Sequence, residues 1–289
     1  MRTKNSWLFS FLNILANNFL PIIRALAFTG SINQLRTLLL LSALALSACN
    51  STNQQSYKRP VETNLSPVQP MSVELAESRG TEIFSKDMFS AEATDFLLEK
   101  GLLNAQSGVL GWLTELDSVA PTTYFIGGTP ENYKVIFKVQ FKGGKKPELV
   151  ESSEMTERLS NKFKSRQLAL QSIQAPCSQN YNTVVLESPN EYIVYALAAA
   201  TERNQIVVGG HYRFTYLKSD ISLKSKERLS NSCLVLNNSE GSIPFATHIL
   251  TDTPLDIHAY LGKLHGGFYI STKSGLYEAK EGKLRLVKK

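Results

Sequence analysis

From residue 181 to residue 287 the chain is a succession of short β-prone runs separated by turn residues, and this limits the fold more than any other feature. The runs are 182–187, 192–199, 205–217, 232–236, 247–250, 257–264, 268–272, 276–279 and 284–287. Ser274-Gly275 and Glu281-Gly282 supply tight turns between the last three. Strands joined by such short turns pair antiparallel. The first half reads differently. Phe89, Ala93, Phe96 and Leu97 fall on one helical face, with Asp87 or Ser90 as the cap and Gly101 as the stop. Residues 154–173 predict a second helix, striped by Met155, Leu159, Phe163, Leu170 and Ile173. Lys162, Lys164 and Arg166 are expected on its solvated face. Between the helices, residues 124–126 predict a short strand. Residues 133–141 alternate, with Tyr133, Val135, Phe137, Val139 and Phe141 on one face and Ile136 as the exception. The expected class is α+β: amphipathic helices in the first half and a mainly antiparallel sheet in the C-terminal half.

The start of the chain carries an export layout. Arg36 is followed by an apolar run at residues 37–45 and by the small residues Ser47 and Ala48. The run is shorter than the roughly 20 residues a bilayer core requires. Leu46-Ser47-Ala48-Cys49 resembles the bacterial lipoprotein box. That resemblance implies acylation of Cys49 and cleavage before it. With Asn50 next, and not aspartate, it further implies an outer-membrane lipoprotein facing the periplasm. Residues 1–34 are long for a leader, and Leu35 is the expected start of translation; a tryptic peptide from residues 5–24 would overturn that. Residues 1–48 are then leader, 49–70 a polar tether with Pro60, Pro67 and Pro70, and 71–289 the globular region, with a possible subdivision near 175.

The chain has 31 Lys plus Arg against 25 Asp plus Glu, net +6. Four of the cations lie in residues 1–48, so the rest carries 27 against 25, or +2. That balance lacks the concentrated basic patch of a nucleic-acid binder. There are three cysteines. With Cys49 acylated, as the resemblance implies, Cys177 and Cys233 are left as an even pair in an oxidising compartment and are expected to form a disulfide.

The four histidines, His211, His248, His258 and His265, lie within 55 residues of one another, yet no H-x-x-x-H or H-x-H pair occurs and no metal site is expected. Gly209-Gly210-His211-Tyr212-Arg213 is the most distinctive string. On a strand His211 and Arg213 would share a face, opposite Tyr212, Phe214 and Tyr216, after a close backbone approach at the glycines. His211 and Arg213 could form an anion site; the favoured reading is that Arg213 pairs with a neighbouring acid. A nucleophile elbow, a free thiolate and a phosphate loop are all missing, so no catalytic residue and no cofactor is expected.

The strings "ATDFLLEKG", "APC", "VYALAAAT", "GGHYR", "SCLVL", "TH" at His248 and "PLDIHAY" occur in this order, and together resemble an uncharacterised family of bacterial exported proteins. The resemblance covers most of residues 80–289 and departs at Asp256, where a glutamate is expected. It carries over no catalytic residue, but directs attention to His211, Arg213, His248 and His258. Two functions are expected in order: a lipid-anchored periplasmic binding module, whose partner is another envelope protein, and then a metal- or histidine-dependent hydrolase.

Overall fold

The computed structural model describes residues 62–116, 120–143, 146–151, 154–202, 204–237 and 243–289. Cys49, the expected leader and the expected tether up to residue 61 lie outside these. Among the described residues there are three helices and fourteen strands, in mostly antiparallel sheets. The class is α+β, but the helices are not confined to the first half and the first half holds a full sheet of its own. No described helix is long and apolar enough to cross a membrane.

Helix α1 (Val73–Glu99) begins at Ser72, whose hydroxyl accepts from the Leu75 amide at 3.2 Å. The expected caps, Asp87 and Ser90, are buried inside it. Its buried stripe is Ala76, Gly80, Ile83, Asp87, Ser90, Thr94 and Leu97, spaced four and three residues apart. The stripe is helical but made largely of small and polar residues. Apolar periodicity therefore reveals only the end of the helix.

Strands β1 (Val109–Glu115), β2 (Thr122–Thr129), β3 (Asn132–Lys142) and β4 (Lys146–Val150) form an antiparallel meander. The single face predicted for β3 is incorrect. Phe125 pairs with Phe137 while Ile126 pairs with Val135, so Ile136 is an extra residue, a bulge. The bulge turns Val135 to the opposite face from Phe137, because neighbouring partners on β2 point opposite ways. Tyr133 accordingly joins the cluster around Phe163, and Val139 and Phe141 join the one around Leu97. One strand serves two cores.

Helix α2 (Glu157–Gln171) is close to the expected span and is capped by Thr156. It covers one face of the central antiparallel sheet. That sheet has the order β5 (Tyr181–Glu187), β6 (Glu191–Ala198), β8 (Tyr212–Leu217), β9 (Leu223–Arg228). Between β6 and β8 in the chain, β7 (Gln205–Val207) leaves the sheet to pair with β10 (Val235–Asn237). Tyr192, Val194 and Ala196 of β6 pack on the α2 side, and Ile193, Tyr195 and Leu197 on the α1 side. A strand covered on both faces has no polar side to alternate with, which explains the unbroken apolar run there.

The last sheet has β11 (Phe245–Thr247) parallel to β12 (Phe268–Thr272), followed by the antiparallel β13 (Gly275–Lys280) and β14 (Lys283–Lys288). The parallel pair needs a crossover, and helix α3 (Asp256–Leu264) supplies it. Residues 257–264, expected as a strand, are thus helical. Asp256 through Gly262 are all buried, so neither a period of two nor one of 3.6 shows in their polarity. α3 crosses α1 at Gly80, where a Cβ would stand 2.6 Å from both the Ala259 Cβ and the Asp256 carbonyl oxygen.

Residues 62–70, read from sequence as part of the tether, dock on β9. The Ser66 amide donates to the Lys226 carbonyl at 2.7 Å. Glu62 pairs with Lys226 and accepts from the Ala175 amide at 2.7 Å. Composition could not show this, because the partners lie over 100 residues away.

Candidate functional site

Of the sequence-selected residues only His248 and His258 are seen in contact, and all four are buried. Arg213 on β8 projects to the α1 side of the central sheet, opposite Tyr212, Phe214 and Tyr216. Its guanidinium bridges two carboxylates, donating to Glu227 on β9 at 2.5 Å and to Asp256 on α3 at 3.1 Å. The Tyr195 hydroxyl donates to the same Asp256 oxygen, and the Ile257 amide donates to the other at 2.8 Å. Gln69 closes the group, its carbonyl accepting from Arg213 and its amide donating to Glu227, each at 3.0 Å. Burial works against the charge on Arg213, but Asp256, Tyr195 and Glu227 reverse this and raise its pKa above the ordinary value. Of the two readings for Arg213, the pairing with neighbouring acids is the one seen.

His211 precedes β8 and has both ring nitrogens engaged. Nδ1 accepts from the Ala198 amide at 3.0 Å, so Nε2 carries the hydrogen and donates to the Val207 carbonyl at 2.8 Å. Burial pushes its pKa down to about 4. The glycines before it do provide a close approach. A Cβ on Gly209 would stand 2.1 Å from the Ser232 carbonyl oxygen, and one on Gly210, at φ +88°, 2.3 Å from Cys177 Cβ. Cys177 and Cys233 form the expected disulfide, Cα to Cα 5.2 Å.

His248 and His258 meet edge to face, ring centroids 4.6 Å apart. Thr251 gives its hydroxyl hydrogen to the Thr253 carbonyl, so it accepts from His248 Nε2 at 2.8 Å. His258 Nδ1 accepts from the Leu255 amide at 2.9 Å, satisfying an orphan donor at the start of α3. Burial pushes His248 down to about 4; burial, then His248 and His211, hold His258 well below its usual value. Among the described residues no group of three or more His, Cys, Asp or Glu side chains is placed to hold a metal ion.

An open cleft among the described residues lies elsewhere. A cleft of about 520 Å³ separates α1, β1 and the chain around Asn180 and Thr201, with Arg166 of α2 in its wall. This is within the size range of small-ligand sites. Arg166 and Lys162, expected on a solvated face, are both buried, at 4% and 1% exposure; Lys164 alone of the three is exposed. Lys162 is neutralised by Glu115 and Glu187 at 2.6 and 2.7 Å. Arg166 has no carboxylate partner among the described residues. Its Nε donates to the Thr183 hydroxyl and its Nη1 to Gln167 Oε1, both at 2.6 Å and both neutral. The guanidinium lies over the Trp112 and Phe163 rings at 5.5 and 5.4 Å, and burial pushes its pKa down to about 10. Gly111 makes the room: a Cβ there would be 2.5 Å from the Arg166 Cζ.

No family model, curated protein or solved structure matches the chain.

The cleft's chemistry must therefore be read from its own residues. The sequence reading missed Arg166 as a site residue because a basic residue on an amphipathic helix is ordinarily solvated. The one available signal was its position: three residues beyond Phe163 on the apolar stripe, it lies on the packed side of the helix.

Proposed function

We propose that this chain is an exported, lipid-anchored protein of the bacterial outer membrane, facing the periplasm, which acts as a binding module with the cleft as its recognition surface. The observation that carries this reading is a contrast in hydrogen bonding. His211, His248 and His258 spend ring nitrogens on neighbouring backbone or hydroxyl groups inside the fold, whereas the cleft opens a large surface that ends at a buried cation. A general base must reach a substrate proton, and none of these histidines lines the cleft. That supports binding over a histidine-dependent hydrolase. The Cys177–Cys233 disulfide supports an oxidising compartment. The lipoprotein-box resemblance supports Cys49 as the acylated residue and the periplasm as the place where another envelope protein is met.

Metabolic labelling with radioactive palmitate tests the anchor. Label should enter the wild-type chain, and Cys49→Ala should abolish it and release the protein from membranes. A wild-type chain that takes no label overturns the anchoring. For recognition, a photo-reactive amino acid placed at Asn104 in the cleft should cross-link in cells to one stoichiometric species, whereas one at Lys289 should not. Equal yields at both positions would overturn the role of the cleft.

A further inference from the structure

We infer that the cleft binds the carboxylate of a small ligand with an apolar body, held by the donors of Arg166 that carry no hydrogen bond among the described residues. The inference rests on the cleft being the recognition surface and names what it recognises. A guanidinium has five N–H donors. Thr183 and Gln167 occupy one on Nε and one on Nη1. One donor on Nη1 and two on Nη2 carry no hydrogen bond among the described residues. A guanidinium with donors left over on both Nη atoms is the kind of group that takes a carboxylate with two bonds. A buried cation without a counter-charge is unfavourable, and an incoming anion relieves it.

The surroundings select among anions. Leu103, Val109, Trp112 and Phe125 provide an apolar lining suited to an aromatic or aliphatic body. Asp95 of α1 stands in the same cleft, and burial together with Glu99 and Glu92 already raises its pKa. A second negative charge on the ligand would face Asp95 unpaired, so a monocarboxylate is favoured over phosphate. A neutral donor or an ammonium group at the far end of the ligand would suit Asp95. Two sources share this chemistry: a free aryl or alkyl acid, and the C-terminus of a peptide.

The protein carries its own probe. The chain has two tryptophans, Trp7 and Trp112, and Trp112 packs on Arg166. In the lipid-anchored protein, cleaved before Cys49, Trp112 remains and its fluorescence reports the cleft; in a chain that keeps residues 1–48, Trp7→Phe achieves the same. We expect saturable changes with phenylacetate, or with a Phe-terminated tripeptide, and the tighter of the two assigns the source. Phenylacetamide and the amidated tripeptide should bind at least about tenfold more weakly, as loss of a charged hydrogen bond requires. Arg166→Gln should weaken the acids by a similar factor. Asp95→Asn, on the partly exposed side of α1, should tighten them several-fold and let inorganic phosphate in; it keeps the test open should Arg166→Gln not fold. No saturable response to any acid, or no effect of Asp95→Asn, overturns the inference. Amides that bind as well as acids overturn it too, while leaving the cleft as a recognition surface.

Discussion

Tyr195 and Asp256, 61 residues apart in the chain, share a buried hydrogen bond. It ties the central strand β6 to the first turn of α3, and Arg213 joins the same carboxylate from β8. Arg213→Met would leave Glu227 and Asp256 buried without a cation. We expect a loss of about 3–5 kcal/mol, as for breaking any buried pair from one side. Asp256→Asn keeps the Arg213–Glu227 bond and should cost clearly less. Urea denaturation of both variants orders them, and the reverse order would show that Asp256 is the dominant partner.

Acid should unfold the protein by way of its histidines. Burial holds His211, His248 and His265 at about 4 and keeps His258 well below the unfolded value of 6.5. Above 6.5 both states are neutral at these sites. Between 6.5 and 4 the unfolded chain gains protons that the folded one refuses, so stability falls as pH drops through that window. Asp87, pushed up to about 6 by burial, has the opposite sign: the folded state takes up a proton first, which favours folding between 6 and 3.8. Four histidines outweigh one carboxyl. The urea midpoint at pH 5 should lie below that at pH 7, and an equal or higher one would place these histidines in contact with water.

Gly80→Ala sets two effects against each other. Alanine gains about 1 kcal/mol of helix propensity over glycine. Its methyl group would meet the Asp256 carbonyl oxygen and Ala259 at 2.6 Å, across the α1–α3 crossing. Overpacking against backbone costs about 1–3 kcal/mol. The clash should prevail, lowering Tm by several degrees in a thermal scan; a rise in Tm would mean that the helices separate freely.

Opening the disulfide by Cys233→Ser should cost about 4 kcal/mol in the chain-entropy account of a closed loop of this length. The change should be read at equal pH with the fold checked by far-ultraviolet dichroism. A loss under about 1 kcal/mol would mean that the unfolded chain already keeps these residues close.

The fold was legible from sequence where polarity differs between two faces. α2 and the hairpins ending in Gly275 and Gly282 were visible for that reason. It was hidden where both faces are covered or where the packed face is polar. α3 is buried all round, and the stripe of α1 contains Gly80, Asp87, Ser90 and Thr94. The bulge at Ile136 was visible as a break in alternation, but its effect, swapping faces along β3, depends on the partner strand. As for the site, His211, Arg213, His248 and His258 do gather near one another, but as members of the packed interior. Arg166 was named in the sequence as a surface charge; only the arrangement of α2 against β1 and β5 makes it a cleft residue.

The docking of Glu62 beside Lys226 also sets a leash. Thirteen peptide units separate Cys49 from Glu62, so covalent geometry allows at most about 45 Å between them. Whatever surface holds Cys49 therefore keeps the β9 side within that radius. A lipid at that cysteine would hold the domain by its β9 flank, not by its far end.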